Sequence, residues 1–201
     1  MKTLYTGIKN PDPTYIHTPL IEIHPVRDNK LLKQVADGIA LFDYILFTSR
    51  FTVKYFAPLI SNKVRCVVSI GNTTTEALKK AGFTDIKQVK EDNSYGVIAW
   101  FENQNRGNVL IPRSNLALDI IPDGLRQLGF EVTTVVAYEN RMPKDAERID
   151  IDEIDEIIFT SPSTIDNFIK LYGSIPTDKK LTTRGPITDK HLQTIIKTQN
   201  L

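Results

Sequence analysis

Two segments of the chain carry nearly the same pattern of apolar and polar residues. Residues 44–56 read YILFTSRFTVKYF, and residues 156–168, 112 positions later, read EIIFTSPSTIDNF, with six of the thirteen aligned positions identical. The apolar run that opens each copy has no alternation, which is typical of a buried strand in a parallel sheet. Thr-Ser ends the run, and apolar residues then recur at helical spacing. The pattern therefore predicts a strand, a polar turn and a helix, present twice.

A second pair of turns repeats at almost the same distance. Residues 71–78 read GNTTTEAL and residues 185–192 read GPITDKHL, and strand-like runs at 64–70 and 180–184 precede them. This duplication predicts two related α/β domains. Helix N-termini in such domains lie at the carboxyl ends of parallel strands, where open sheets bind ligands. Their free N–H groups and partial positive charge favour an anionic ligand.

The remaining periodicity completes both predicted domains. It predicts strands over 3–7, 108–113 and 130–138, and helices over 31–42, 94–102 and 116–128, the last closed by Gly129. A further helix follows the Thr73 turn and ends at Ala81, with Gly82 as its C-cap. Thr73 and Glu76 have the spacing of a capping box.

The order of these elements predicts the domain boundaries. Residues 28–136 form one continuous α/β domain, and residues 1–22 combine with 142–201 into a shortened, discontinuous one. The chain crosses between them near 21–27 and near 135–141. The predicted class is α/β, with two flavodoxin-like or Rossmann-like parallel-sheet domains joined by a two-stranded β linker and a ligand cleft between them.

Composition narrows the function classes. The 201 residues include 25 Lys plus Arg and 24 Asp plus Glu, so the chain has no overall field to attract nucleic acid or a membrane surface. The N-terminal residues lack the apolar core of a signal peptide, and a single cysteine excludes an internal disulfide framework. We therefore expect a cytoplasmic protein with no nucleic-acid or membrane partner.

The motifs of common cofactor and metal sites are missing from the sequence. It contains no Gly-x-Gly-x-x-Gly, no phosphate-binding loop, no Cys-x-x-Cys and no His-Glu-x-x-His. The three histidines lack ligand spacing, Cys66 lies inside a predicted strand, and the acidic run 150–156 is better explained as a solvated connection than as paired catalytic carboxylates. We expect neither a cofactor nor a metal.

Hydroxyl side chains at the predicted turns are the main candidates for chemistry. They are Thr48, Ser49, Thr73, Thr74, Ser114, Ser161, Ser163, Thr164 and Thr188. Helix capping explains any one of them, but their joint occurrence at equivalent turns of two domains favours ligand contact. Arg50 and Arg113, just past strand ends, are either carboxylate partners or surface arginines. Tyr138, where the chain leaves the continuous domain, is either packing or a proton donor.

Taken in order, six motifs resemble one enzyme family. They are FTSRFTVKYF (47–56), IGNTTTEAL (70–78), VLIPRS (109–114), the segment 132–139, FTSPST (159–164) and GPIT (185–188). The chain resembles the uroporphyrinogen-III synthases of tetrapyrrole (haem) biosynthesis. The resemblance implies two α/β domains joined by a two-stranded ladder. It also implies cyclisation of hydroxymethylbilane with inversion of the last pyrrole, a hydro-lyase reaction that needs no metal or cofactor.

The resemblance also assigns roles to residues. Tyr138 matches the tyrosine proposed to assist loss of the substrate hydroxyl. Thr74 and Thr188 match the threonines of paired glycine turns, and Thr48, Ser49, Ser161 and Ser163 match turns that face the cleft. With Arg50, Thr73, Arg113 and Ser114, they form the expected binding set for a linear tetrapyrrole with eight carboxylates. We expect a monomer.

The sequence departs from the family at two places. Little room remains for a helix after the first strand, where Thr6-Gly7-Ile8-Lys9 replaces a threonine-arginine pair, and the chain ends soon after the Gly185 turn. These departures keep open a non-catalytic relative that binds a tetrapyrrole without converting it. An alternative from another class is a two-lobed module of the periplasmic-receptor type that binds a small anion between its lobes, although the lack of a signal sequence counts against it. Ligand binding without isomer conversion would favour a binding protein over the enzyme.

Overall fold

The computed structural model describes residues 1–60 and 64–199 and separates into two compact units. One unit comprises residues 1–22 and the described residues from 140 onward, and the other comprises residues 23–139. The predicted domain segments 28–136 and 142–201 include residues 61–63 and 200–201, which lie outside the described residues.

Strands and helices alternate along most of the chain. The strands are β1 (Thr3–Tyr5), β2 (Ile16–His17), β3 (Glu22–Pro25), β4 (Tyr44–Phe47), β5 (Cys66–Ser69), β6 (Ile86–Gln88), β7 (Asn108–Ser114), β8 (Glu131–Arg141), β9 (Glu156–Phe159) and β10 (Lys180–Thr183). The helices are α1 (Lys30–Asp37), α2 (Arg50–Phe56), α3 (Asn72–Lys80), α4 (Ser94–Glu102), α5 (Ile120–Gln127), α6 (Pro162–Tyr172) and α7 (Pro186–Gln199). Short 3-10 turns follow α1 and α2. No helix in the described ranges is long and apolar enough to cross a membrane.

The larger unit is built on a sheet with the strand order β3-β8-β7-β4-β5-β6. Strands β4 to β8 pair in parallel, and β4 lies in the middle of the sheet. Ile45, Leu46 and Phe47 are fully buried because helices cover both faces of β4. The chain fills one side of β4 with β5 and β6 and then crosses to β7 and β8 on the other. The point where the strand order reverses therefore lies between β4 and β7.

The smaller unit has a four-stranded sheet of order β10-β9-β1-β2, and all its pairings are parallel. Ile157 and Phe159 of β9 are fully buried in an apolar cluster that also contains Leu4, Phe168 of α6 and Leu192 of α7. The predicted α/β class with parallel sheets is confirmed. Both copies of the thirteen-residue repeat form the strand, turn and helix that their pattern predicts.

The predicted capping box of Thr73 and Glu76 is wrong. Helix α3 begins two residues earlier than that cap requires, and its N-cap is Gly71, which has φ of +73° and no side chain. Thr73 is an exposed residue inside the first turn of the helix. At the other end, the helix stops at Lys80 and its C-cap is Ala81, so the predicted end and the predicted Gly82 cap are each one residue too late. Gly82, with φ of +94°, directly follows the C-cap.

Other differences come from local hydrogen bonds that periodicity does not reveal. Helix α1 stops at Asp37 rather than continuing to residue 42, because the chain tightens into a 3-10 turn after Gly38. Helix α5 begins at Ile120 rather than at 116, because Ser114 accepts hydrogen bonds from the backbone of Leu116 and Ala117 and forms a turn there. Strands β2 and β6, with two and three residues, were not predicted.

Candidate functional site

Ser49 begins helix α2 at the carboxyl end of the central strand β4. Its hydroxyl accepts a hydrogen bond from the Thr52 backbone N–H at 3.2 Å, and the Thr52 hydroxyl accepts one from the Ser49 N–H at 3.1 Å. Together they form a capping box with threonine in place of the usual glutamate. The capping explanation for Ser49 is therefore correct, and it fixes where the hydroxyl lies.

The same Ser49 hydroxyl also meets Tyr138, and the two side-chain oxygens are 3.2 Å apart. The Tyr138 hydroxyl forms a further hydrogen bond with the side chain of Ser114. Ser114 and Tyr138 are register partners on β7 and β8, next to an irregularity at Arg113/Ser114 that shifts the pairing by one residue. Three hydroxyls from three chain segments thus meet beside the point where the strand order reverses. We call Tyr138, Ser49 and Ser114 the hydroxyl cluster.

The surroundings of Tyr138 are mostly aromatic. Phe51 and Tyr55 of helix α2 cover its ring, with centroid distances of 5.8 and 6.2 Å, and only 8% of the residue is exposed. Burial raises the pKa of Tyr138 above its ordinary value, while the hydrogen bonds from Ser49 and Ser114 act in the opposite direction. Tyr138 is therefore protonated at neutral pH, and its hydroxyl can donate a proton or a hydrogen bond.

The two arginines chosen from the sequence have different environments. The Arg113 side chain is 11% exposed, pairs with Asp119 at 2.6 Å and donates a hydrogen bond to the Ala117 carbonyl oxygen. The N–H donors of Arg113 therefore stabilise the turn after β7. Arg50 is exposed and packs over the Phe51 ring at 5.0 Å, and no carboxylate of the described residues pairs with it. Arg50 is the better placed of the two to bind an anion.

A cavity of about 390 Å³ lies within the larger unit beside the end of β7. Leu31 and Leu32 of helix α1, residues 134–136 of β8 and Arg113–Asn115 contribute to its wall. Its polar side contains the Arg113–Asp119 pair, and Ser114 connects it to the hydroxyl cluster. Apolar and polar walls in one concave space are typical of small-molecule sites.

The glycine turns also resemble each other in the structure. Gly71 and Gly185 directly precede α3 and α7 with φ of +73° and +95°. Thr74 and Thr188, three residues after each glycine, are both buried. The Thr188 hydroxyl donates to the Arg184 carbonyl oxygen at 3.3 Å. The turns therefore place equivalent threonines under equivalent helix starts, as the repeat predicts.

In the smaller unit, the turn after β9 contains a second group of hydroxyls. The Ser161 and Ser163 oxygens are 2.9 Å apart, and Ser163 accepts a hydrogen bond from the Asn140 side chain at 3.2 Å. The Thr164 hydroxyl accepts hydrogen bonds from the backbone N–H groups of Thr160 and Ser161. Here the serines contact each other, and this turn has no counterpart to Tyr138 in the described contacts of its own unit.

Sequence reasoning missed two residues that support these turns, Thr52 and Thr75. Thr52 is fully buried and completes the Ser49 cap. The Thr75 hydroxyl lies 2.8 Å from the Ser69 hydroxyl and donates to Gln88 at 2.8 Å, so it joins the ends of β5 and β6 under the Gly71 turn. Thr52 and Thr164 are identical at equivalent positions of the two repeats, and this identity could have indicated Thr52.

Thr48 lies half-buried directly after β4. Within residues 1–60 and 64–199, no three His, Cys, Asp or Glu side chains are placed to hold a metal.

Comparison with known proteins places these features in a family. A sequence model described as uroporphyrinogen-III synthase HemD matches residues 8–195. A protein of Methanothermobacter thermautotrophicus is 28% identical, covering 87% of this chain and 78% of its own length. The uroporphyrinogen-III synthase of Chlorobaculum parvum is 31% identical, covering 78% of this chain and 68% of its own. The crystal structure of a mutant uroporphyrinogen III synthase from Thermus thermophilus superposes with a TM-score of 0.72 at 16% identity, covering 96% of this chain and 88% of that one.

Proposed function

The chain belongs to the uroporphyrinogen-III synthase family of porphyrin biosynthesis enzymes, and on this premise we propose that the hydroxyl cluster performs its proton transfer. The substrate of this proposal is hydroxymethylbilane, a linear tetrapyrrole with eight carboxylates. The product is uroporphyrinogen III, in which the last pyrrole is inverted, and one water is released. The observation that carries the proposal is the meeting of Tyr138 with Ser49 and Ser114 at the point where the strand order reverses.

The first step breaks the carbon–oxygen bond of the substrate's hydroxymethyl group. Tyr138, or a water that it orients, gives a proton to the departing hydroxyl, which leaves as water while the pyrrole nitrogen supplies the electron pair that forms an azafulvene. Ser49 and Ser114 can donate hydrogen bonds to the resulting phenolate oxygen. Their contacts lower the pKa of Tyr138 against the effect of burial, as an acid in this role requires.

The later steps need positioning more than acid–base groups. The last pyrrole attacks the azafulvene at its substituted carbon and forms a spiro intermediate. The older bond to that carbon then breaks and leaves an azafulvene on the adjoining pyrrole. The free α-carbon on the other side of the last pyrrole's nitrogen attacks this azafulvene and loses its proton as the pyrrole regains aromaticity. Because the bilane also closes unaided to the uninverted isomer, the main contribution of the protein is to hold the substrate folded for the first attack.

The carboxylates of the substrate require donors that the protein does not already use. Arg50 has an exposed guanidinium, and the starts of α2, α3, α6 and α7 provide backbone N–H groups. We propose that Thr48, Thr73, Thr74, Ser161, Ser163 and Thr188 contribute at these turns. Arg113 has a positioning role in this scheme, because Asp119 and Ala117 occupy its donors.

The proposal keeps the wider arrangement that the resemblance implies. In it, one monomer binds the substrate with turns from both domains, and the chain crossings near 21–27 and 135–141 form a two-stranded linker. In this proposal both sets of turns engage the long bilane and hold it folded.

Product analysis tests the proposed function. The purified chain is incubated with freshly prepared hydroxymethylbilane, the products are oxidised, and the porphyrin isomers are separated by chromatography. The proposal predicts mostly type III porphyrin. Type I alone, formed at the rate of a protein-free control, would contradict catalysis. Retained binding of a tetrapyrrole in that case would favour the non-catalytic alternative.

A further inference from the structure

Arg184 lies at the carboxyl end of the sheet in the smaller unit, one residue beyond β10. Its backbone N–H donates to the Phe159 carbonyl oxygen at 3.0 Å, which extends the pairing of β10 with β9 by one position. The residue that follows is Gly185, which begins the turn into α7. The backbone of Arg184 is therefore fixed at the edge of the sheet where parallel α/β sheets bind ligands.

The side chain of Arg184 contacts an aromatic ring and has no anionic partner among the described residues. Its guanidinium carbon lies 5.2 Å from the centre of the Tyr5 ring, a cation–π contact, and the residue is exposed. In the described part of the chain, no carboxylate pairs with it. Arg65, Arg113 and Arg126, in contrast, each pair with an aspartate. Arg184 thus presents a full charge and its N–H donors to whatever binds at this edge.

The neighbours of Tyr5 hold this arrangement in place. Tyr15 stacks on Tyr5 at 6.3 Å, and the His17 ring lies at 5.9 Å from it. His17 Nε2 is 2.7 Å from the Gly7 carbonyl oxygen, and since a carbonyl only accepts, Nε2 carries the proton. A Cβ on Gly7 would lie 2.7 Å from the Tyr5 hydroxyl and 2.8 Å from Thr160. No side chain fits at Gly7 without a shift of its neighbours, so this position places no charged side chain beside Tyr5.

Thr188 connects Arg184 to the glycine turn. The Thr188 hydroxyl is buried and donates to the Arg184 carbonyl oxygen at 3.3 Å. With this hydrogen bond, Thr188 fixes the residue that carries the charge. Its contribution to a bound anion therefore includes the position of Arg184.

We propose that Arg184 binds a carboxylate of the tetrapyrrole substrate, with Thr188 as its positioning residue. This inference rests on the proposed function for the identity of the ligand. A guanidinium forms two parallel hydrogen bonds to a carboxylate, and its stacking on Tyr5 lowers the conformational cost of forming them. In the smaller unit, the main carboxylate-binding residue is then Arg184, which is not among the residues that the family motifs indicate.

The test compares Arg184→Gln with Arg148→Gln. Arg148 is an exposed arginine of the same unit that lies over the Tyr172 ring at 5.4 Å, near the C-terminal end of α6 rather than at its start. The matched control therefore loses the same charge and the same kind of ring contact elsewhere. For Arg184→Gln we expect KM for hydroxymethylbilane to rise roughly 5- to 30-fold, the size of a lost charge-assisted hydrogen bond at an exposed site, with kcat within about twofold of the original. The KM of Arg184→Lys should lie between the values for Arg184→Gln and the unmodified chain. The KM of Arg148→Gln should equal that of the unmodified chain.

Affinity for uroporphyrin III, an octacarboxylate tetrapyrrole, is measured in parallel by fluorescence quenching. Weaker binding by Arg184→Gln alone would support the inference even if the unmodified chain produced no type III isomer, a result that would overturn the proposed function separately. Equal KM and equal affinity for both variants and the unmodified chain would overturn the inference while leaving the function intact. No binding and no conversion by the unmodified chain would overturn both.

The positioning role of Thr188 is tested by separate KM measurements. Thr188→Val should raise KM in the unmodified background, and Thr188→Ser should restore it, because serine keeps the hydroxyl. In the Arg184→Gln background Thr188→Val should have little further effect on KM, since the residue it positions has lost its charge. An additive effect would show that Thr188 acts independently of Arg184.

Discussion

The Ser49 hydroxyl caps helix α2 and lies 3.2 Å from the Tyr138 hydroxyl at the same time. One small side chain thus connects the start of a helix to the buried Tyr138 of the hydroxyl cluster. The consequence is that the cap and the site are coupled. Movement of the first turn of α2 would change the hydrogen bonding, and with it the acidity, of Tyr138.

Replacement of Ser49 by alanine tests this coupling. Ser49→Ala removes the acceptor for the Thr52 N–H and a partner of Tyr138. We expect a loss of about 1 kcal/mol in the free energy of unfolding, the usual size for an N-cap, and a fall of roughly 3- to 10-fold in kcat. Urea unfolding and initial rates of type III formation measure the two effects. A loss of stability with an unchanged kcat would show that Ser49 only caps the helix.

The two repeats predict two matched stability defects. Thr52 and Thr164 are fully buried at the third position of α2 and α6, and each accepts a hydrogen bond from the backbone N–H of the preceding cap serine. Thr52→Val and Thr164→Val should each lower the free energy of unfolding by about 1 to 2 kcal/mol, because a buried N–H loses its acceptor. Thr73→Val, at an exposed position, is the control and should change it by less than about 0.5 kcal/mol. Equal losses in all three urea titrations would contradict the assignment of the caps.

Glu156 predicts a pH dependence of stability in the smaller unit. The carboxylate is 6% exposed and accepts hydrogen bonds from Thr182 at 2.6 Å and Thr3 at 3.3 Å, with Lys180 at 3.0 Å. The Thr182 hydrogen bond, followed by Lys180, lowers the pKa of Glu156 below its ordinary value of 4.5 against the opposing effect of burial. A lowered folded-state pKa stabilises the protein above the unfolded pKa, and this contribution is lost as pH falls through the folded pKa.

Glu156→Gln should therefore be destabilised relative to the unmodified chain at pH 7, and the difference should shrink below about pH 4.5. Urea unfolding at a series of pH values measures it. Glu153→Gln is the control, because that carboxylate is 63% exposed and its partner among the described residues is the exposed Lys2. A Glu156→Gln difference that stayed constant to pH 3, or grew as the pH fell, would contradict the assignment.

Much of the fold could be predicted because the repeats carry strong local patterns. The buried run 45–47 and the helix after it follow directly from an unbroken apolar stretch and a Thr-Ser turn. Regular apolar spacing predicts helix α4 with its observed ends, and in the structure Asn93 caps its first turn. The short strands β2 and β6 were not predicted, because two or three residues contain no period to detect.

The candidate site was only partly predictable for a similar reason. Tyr138, Ser49 and Ser114 were chosen as single residues at turns, but their meeting depends on the order of the strands and on the shifted register at Arg113/Ser114. Arg113 was chosen as a carboxylate partner, yet the turn before α5 brings Asp119 to it. Arg184 was not chosen, because nothing local shows that its guanidinium will lie over Tyr5, about 180 positions away.

The most direct test of the account is the rate of type III formation by Tyr138→Phe under single-turnover conditions. Tyr55→Phe is the matched control, since Tyr55 stacks on Tyr138 at 6.2 Å but does not reach Ser49 in the described contacts. We expect a fall of roughly 10- to 100-fold for Tyr138→Phe, with type I rising through unaided closure, and a fall of less than about 3-fold for Tyr55→Phe. An unchanged rate and isomer ratio for Tyr138→Phe would remove Tyr138 from the mechanism.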